Sequence, residues 1–467
     1  MVGLVQMIVI TGLPRLWANF ELFFVNTLGL PFHSGIIPTV LIILAAIYFG
    51  IRYAQKNQES TVQNVAVAFA LMVLAMSTYG MVITRANSNP PINMNAPKDA
   101  LSLLPYLNRE QYGDRPLLRG PHFAAQPVNV ETEKRYGRVG NRYEHVSDKV
   151  DYVYNDADKM LFPRMADPSQ GRPSLYMQWM GMDPNQQLPE GWKPTQGQNI
   201  GFFWNYQIKW MYWRYFMWNF AGRQNGEQGF YPWDKSAGHW FSGISALDNM
   251  RLGNQALLPE VQKNNPARNK YYLLPFIFGL LGVVYHFGKR RNDFLGLLAL
   301  FVITGVGIIV YSNQPPNEPR ERDYVLAGSF FVFCIWMGMA VLAIYELLRD
   351  RVKLSGPVGA GLAGALVLIA PILMGTQNFD DHSRNGHYAS RDYASNFLNS
   401  VEKNAVIFTY GDNDTYPLWY AQEVEGIRRD VRVVNLSLIA VDWYIDLLRR
   451  KINESPALKL TLSSSAY

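Results

Sequence analysis

The sequence predicts a polytopic α-helical membrane protein with an exported α+β loop region and a C-terminal α/β domain. Three observations carry that reading. Six apolar stretches approach the ~20 residues that a helix needs to cross a bilayer. The Lys and Arg of three connecting loops fall on one side when those spans alternate. The last ninety or so residues alternate strand and helix, as parallel α/β units do. Composition agrees: 49% of residues are hydrophobic and 14% aromatic, while only 17% are charged, against about a quarter in soluble domains. The mean hydropathy of −0.08 is nevertheless too polar for a chain that is all membrane. Two populations of residues are averaged in it.

The spans are Gly35 to Ala54, Val62 to Thr84, Tyr271 to Gly288, Phe294 to Ser312, Tyr324 to Leu348 and Gly356 to Gly375. The last is rich in the small residues that let helices approach in lipid. Met1 to Gly12 is too short to span, lacks a signal-peptide pattern and reads as the tail of a helix whose start lies upstream. Arg52 and Lys56, then Lys289 to Arg291, then Arg349, Arg351 and Lys353 mark the cytoplasmic loops. This puts the chain in the inner (cytoplasmic) membrane with its large loops on the exported, periplasmic side. The expected regions are 1–84 (helices, the first incomplete), 85–270 (exported loop region), 271–375 (four helices) and 376–467 (an α/β domain cut short). The aromatic run 202–220, FFWNYQIKWMYWRYFMWNF, carries Lys209 and Arg214. Those charges would be costly mid-bilayer, so a helix lying in the interface fits better than a span. An aromatic core helix is the alternative.

In the exported loop, LSLLPYLNREQYGDRPLL suggests a short helix ending at Gly113, and RYGRVGNRYEHVSDKVDYVY is rich in strand formers. The C-terminal region reads as helix Ser390–Glu402, strand Val406–Tyr410, helix Pro417–Glu425, strand Val431–Ile439 and helix Val441–Lys451. Its first strand ends in GDNDT, at the position where parallel folds place ligands.

Candidate chemistry follows from these positions. Asp412 and Asp414 can hold a cation, accept sugar hydroxyls or act as a base; equally, Asp414 or Thr415 can cap the helix entered at Pro417. Asp380, Asp381 and His382 follow the sixth span and suit acid, base or metal work, although neighbours on an extended segment point apart. Between the fourth and fifth spans lies NQPPNEPRERDY, stiffened by Pro315, Pro316 and Pro319. Arg320 and Arg322, beside Asp323, run against the topology rule there. Their guanidinium forks match a lipid-linked phosphate, or else pair with Glu318, Glu321 and Asp323. No Walker loop, dinucleotide glycine motif, HExxH or cysteine pair occurs. Cys334 is the single cysteine, and the modest net charge of +6 is not gathered into a nucleic-acid-binding stripe. No cofactor is expected beyond a divalent cation at the acidic pairs.

ELFFVN and GLPFHSG (21–35), SLLPYLNREQYGD (102–114), NYQIKWMYWRYFMWNFAGRQ (205–224), NQPPNEPRERDY (313–324) and FTYGDNDTYPLWYAQEVEGIRRDVRVVNLSL (408–438) together resemble one bacterial membrane-protein family. That family, long a domain of unknown function, is grouped with the GT-C membrane glycosyltransferases and is related to a eukaryotic transmembrane protein O-mannosyltransferase. The resemblance covers nearly the whole chain. It implies a GT-C-like fold and sugar transfer on the exported face, from a polyprenyl-phosphate donor to an exported protein or glycan. In such enzymes the catalytic acid sits in the first exported loop, and this sequence starts after it. The catalytic residue is then unknown here, with Asp412, Asp414, Asp380 and Asp381 as candidates and Arg320, Arg322 and Asp323 on the donor phosphate. The reading from another class is a non-catalytic membrane scaffold of an export or envelope-assembly complex.

Overall fold

The structure is a computed structural model of the chain and describes residues 5–110, 113, 116–318 and 323–461. Among the described residues, six helices are long and apolar enough to cross a membrane. In chain order the main elements begin with α1 (Ile8–Thr27), α2 (Ile36–Asn57) and α3 (Ser60–Asn87). A short helix α4 (Ala100–Asn108) and a hairpin of β1 (Pro127–Val139) and β2 (Arg142–Tyr154) follow. The aromatic run lies in a continuous helix α5 (residues 196–220). Next come α6 (Leu274–Lys289), α7 (Arg291–Ser312), α8 (Tyr324–Val352) and α9 (Gly356–His382). The chain closes with α10 (Ala389–Asn399), β3 (Val406–Thr409), α11 (Asp412–Glu423), β4 (Arg432–Asn435) and α12 (Asp442–Leu448). This is a polytopic helical membrane protein.

Two sequence expectations for the spans need correction. The N-terminal apolar segment is not confined to the first twelve residues: α1 runs on to Thr27. Pro14, Asn19 and Glu21 break its apolar run in the sequence, but Glu21 is wholly buried inside the protein and would not face lipid. α6 is only 16 residues long, about 24 Å at 1.5 Å per residue. Leu273 in the left-handed region and Pro275 delay its start. α2 and α3 leave all but 6% of their apolar windows uncovered by protein, the pattern of helices that lipid surrounds.

The chain divides into two compact units, one of residues 1–114, 131–151 and 385–467, the other of residues 115–130 and 152–384. In the first, the tip of the hairpin docks on the last turn of α1. Asn26 exchanges hydrogen bonds with the Tyr143 backbone, at 2.8 and 2.9 Å. Separately, β3 and β4 pair in parallel, Val406 opposite Arg432 through Thr409 opposite Asn435. Ala394, Leu398, Ile407, Leu418, Val431 and Val433 fill the core between these strands and their helices.

The second unit is built around aromatic packing. Phe216 and Phe220 of α5 meet Phe333 of α8 at ring separations of 4.8 and 4.5 Å. Trp336 and Phe294 extend the same core. Gly282 of α6 lies against the Trp336 backbone, where a methyl group would come within 1.7 Å of the carbonyl oxygen; only glycine permits that approach. At one end of this bundle Lys289 bridges Glu346 at 2.6 Å, and the Tyr285 hydroxyl donates to the same carboxylate at 3.0 Å. The basic segments around Lys289 and Arg349 therefore share an end. Uncharged amides and prolines of the 313–318 segment occupy the other.

Candidate functional site

At that other end lies a cavity of about 470 Å³, lined among others by Tyr215, Trp218, Arg223, Tyr271, Asn378 and His382. Its volume falls within the ~300–1,000 Å³ usual for ligand sites. The last turns of α5 supply Tyr215 and Trp218. Behind them the chain turns at Gly222, whose φ of +128° and close approach to the Phe241 and Asn269 carbonyls exclude any side chain. Gly222 and Arg223 then pair antiparallel with Lys270 and Asn269. That short ladder fixes Arg223 on the cavity wall.

Arg223 is half-buried and stacks over Trp218, 4.8 Å from the ring centre. Its Nε is shielded from solvent and has no hydrogen-bond partner. Among the described residues no carboxylate pairs with it, although one usually accompanies a charge withdrawn from water. It offers an anion a planar set of donors, one of which is shielded from water and unpaired.

The opposite wall comes from the end of α9. Asn378 donates to the Tyr271 hydroxyl and to the Met374 carbonyl, and its own carbonyl accepts from Asn269 Nδ2 at 3.0 Å. Asn269 also donates to Asp381 Oδ2 at 3.1 Å. His382 Nδ1 lies 2.7 Å from Asp381 Oδ1 and 3.2 Å from the Asn378 backbone carbonyl oxygen. Burial, above all, raises the Tyr271 phenol, which stays protonated. The sequence placed Asp380, Asp381 and His382 on an extended segment after the span. They are instead the last turn of α9, because the helix continues to His382. Asp380 is exposed and accepts only the Asp381 backbone N–H among the described contacts.

A clamp holds the segment beside this cavity. Asn313 donates to the Pro163 carbonyl at 3.0 Å, and Gln207 donates to Asn313 and to the Gln314 carbonyl. The Tyr206 hydroxyl reaches Pro315 O at 3.0 Å, and Arg172 reaches Pro316 O. Asn317 donates to Tyr231, while Gln228, itself a cavity residue, donates to Glu318 O at 2.8 Å. Every residue from 313 to 318 is thus pinned, a stronger restraint than its prolines alone supply. Arg164, fully buried, donates to Val310 O at 2.9 Å in the last turn of α7. A cation there suits the negative end of a helix. Burial lowers its pKa to about 10, so it remains charged at neutral pH. Arg320 and Arg322 lie outside the described residues, and Asp323 opens the short turn Asp323–Leu326 ahead of the apolar part of α8.

The acidic pair of the GDND segment belongs to the first unit. α11 starts at Asp412, earlier than the sequence suggested, so both aspartates are in its first turn rather than in a loop. Asp414 reaches back to the Tyr410 and Gly411 N–H groups, each at 2.8 Å. Those two bonds hold its carboxyl below the usual range. It caps the helix, as one of the two sequence readings had it, although at Gly411 rather than at Pro417. Thr415 is buried and bonded to Thr409, Gly411 O and Asn435. Asp412 is exposed. Among the described residues no three His, Cys, Asp or Glu side chains gather to hold a metal.

Sequence reasoning passed over Arg223, Tyr271 and Asn378. Arg223 stood in plain view directly after the aromatic run, an arginine on the side where the topology rule disfavours one; Tyr271 and Asn378 gave no signal of their own.

Comparison with known proteins gives partial matches. Residues 390–467 match a family described as TMEM260-associated domain 2. Residues 113–204 match a family of unknown function, DUF8416. The chain is 22% identical over 200 residues to the Protein O-mannosyl-transferase tmem260 of Dictyostelium discoideum, an alignment covering 38% of this chain and 23% of that relative. No solved structure matches.

Proposed function

We propose that the protein is a membrane glycosyltransferase that moves a sugar from a polyprenyl-phosphate carrier to an exported protein or glycan. Distant similarity to a protein O-mannosyl-transferase supports a glycosyltransferase role. The observation that carries the donor assignment is Arg223, a cation with no carboxylate partner among the described residues, on the wall of a cavity at the end of the apolar helices opposite Lys289 and Arg349. A polyprenyl phosphate keeps its tail among such helices and its charge where they end. In the orientation favoured by positive-inside sorting, the Lys289 and Arg349 segments are cytoplasmic and the cavity is exported, in an inner membrane. α5 then lies at headgroup depth, with Trp204 and Trp213 exposed. Arg320 and Arg322, which follow Glu318 and Pro319 in the sequence, are assigned to the donor phosphate as well. Charge on the departing phosphate is met by guanidinium groups, which need no metal to do it.

The test is binding of a polyprenyl-phosphomannose donor to the full-length protein in detergent. Charge-assisted hydrogen bonds are worth about 1.5–3 kcal/mol, so Arg223→Gln should weaken binding roughly ten- to hundredfold. Arg223→Lys should recover only part, since it keeps charge but loses the planar fork. Equal affinity across wild type, Gln and Lys variants would remove Arg223 from the donor site.

A further inference from the structure

We infer that His382, oriented by Asp381, is the base that takes the proton from the acceptor hydroxyl; the inference rests on the glycosyltransferase reading above. The argument begins with the tautomer. Both groups facing His382 Nδ1, the Asp381 carboxylate at 2.7 Å and the Asn378 carbonyl at 3.2 Å, can only accept. Nδ1 must therefore carry the hydrogen, and in the neutral ring Nε2 presents its lone pair. His382 lines the cavity that holds Arg223. Its side chain is 64% exposed, whereas that of Asp381 is 7% exposed. The arrangement is a reactive ring at the rim with its orienting carboxylate behind.

A purely structural role explains less. A histidine in the last turn of a helix does favour the helix dipole, but an aspartate there opposes it. Burying that aspartate adds a desolvation cost. Asp381 is tolerated because Asn269 and His382 both donate to it, and Asn269 is itself 1% exposed and tied to Asn378. Two buried side chains, Asp381 and behind it Asn269, thus set one exposed imidazole.

In the reaction, the acceptor O–H bond breaks and its proton passes to Nε2. The oxygen electron pair forms the new bond to the anomeric carbon. The bond from that carbon to the phosphate oxygen breaks, and its electrons leave with the polyprenyl phosphate beside Arg223. Asp381 stabilises the imidazolium, and the exposed ring returns the proton to water. The family resemblance places the catalytic acid in an earlier exported loop, so this assignment departs from it.

The test uses the full-length protein, polyprenyl-phosphomannose and a saturating acceptor. General-base catalysis contributes about 10²–10⁴-fold. His382→Ala should lower kcat by at least a hundredfold while leaving donor Kd and melting temperature unchanged, and added imidazole should restore part of the rate. His382→Gln, which can still donate to Asp381, should fold as wild type and be equally slow. Asp381→Asn should lower kcat by a smaller factor. A His382→Gln enzyme with wild-type kcat, or a loss confined to donor binding or stability, overturns the proposal and leaves the glycosyltransferase reading intact. Wild-type protein that transfers nothing from that donor overturns both.

Discussion

Glu21 is withdrawn wholly from water and Arg223 in part, and the two units treat these side chains differently. Glu21 is wholly buried and fully answered. Its oxygens accept the His33 N–H at 2.5 Å, the Gly35 N–H at 3.0 Å and the Tyr143 hydroxyl at 3.1 Å. Beside it Arg138 bonds Asp99 at 2.7 Å and lies 3.0 Å from His33 Nε2. Burial, chiefly, pushes the Tyr143 phenol up, and the Asp99 and Glu21 charges push it further. Arg223 has a stacking partner and no acceptor for its Nε. A satisfied buried charge locks a joint, here α1, the following turn and the hairpin tip. An unsatisfied one lowers stability unless a ligand completes it.

That contrast breaks most sharply at Glu21. Glu21→Gln turns an amide donor toward a backbone donor, at about 1–3 kcal/mol for each N–H left without an acceptor. A clear fall in the melting temperature of the detergent-solubilised chain is expected. Arg223→Gln should leave melting unchanged or raise it. If both variants melt alike, the distinction between a locking charge and a waiting charge fails.

A smaller effect is expected at Asp414. Asp414→Ala removes the side chain that reaches back over the start of α11 and should cost about 1 kcal/mol, the scale of a helix cap. Hydrogen exchange of the Tyr410 and Gly411 amides should quicken while sugar transfer keeps its rate. Loss of transfer without faster exchange would return Asp414 to the catalytic candidates.

The smallest effect is a pH slope. The Arg428 guanidinium, and then the Asn404 N–H, hold the Asp430 carboxyl well below the usual carboxylate range. Because the folded value is depressed, its stabilisation is complete above the unfolded pKa of about 4 and fades as pH falls toward the folded value. Exchange protection around β3 and β4 should decline below about pH 4 in the wild type. Asp430→Asn should be less protected at pH 6 and lack its share of that decline.

Much of the fold was legible because apolar length and period are local properties. Five of the six expected spans recur as helices of membrane length, and the strand–helix alternation after residue 389 recurs with its parallel pairing. The failures are equally local. The polar residues of α1 read as an interruption because nothing in the chain shows that Glu21 will be buried. Asp381 and His382 read as pointing apart because the helix end could not be placed within a turn.

By itself, the sequence determined where most of the long apolar helices form, which loops are basic, that prolines punctuate the segment after the fourth span and that an α/β arrangement follows residue 389. Each follows from residues close together in the chain. Only the tertiary structure decided which charges have partners. It put Asn269 between Asn378 and Asp381, set Arg223 over Trp218 with no carboxylate partner among the described residues, and pinned each residue from 313 to 318 with donors drawn largely from residues 172–231. The physical reason is that hydrogen bonding and desolvation depend on what lies within a few ångströms, and most of those neighbours are some fifty to a hundred and fifty residues away in the chain.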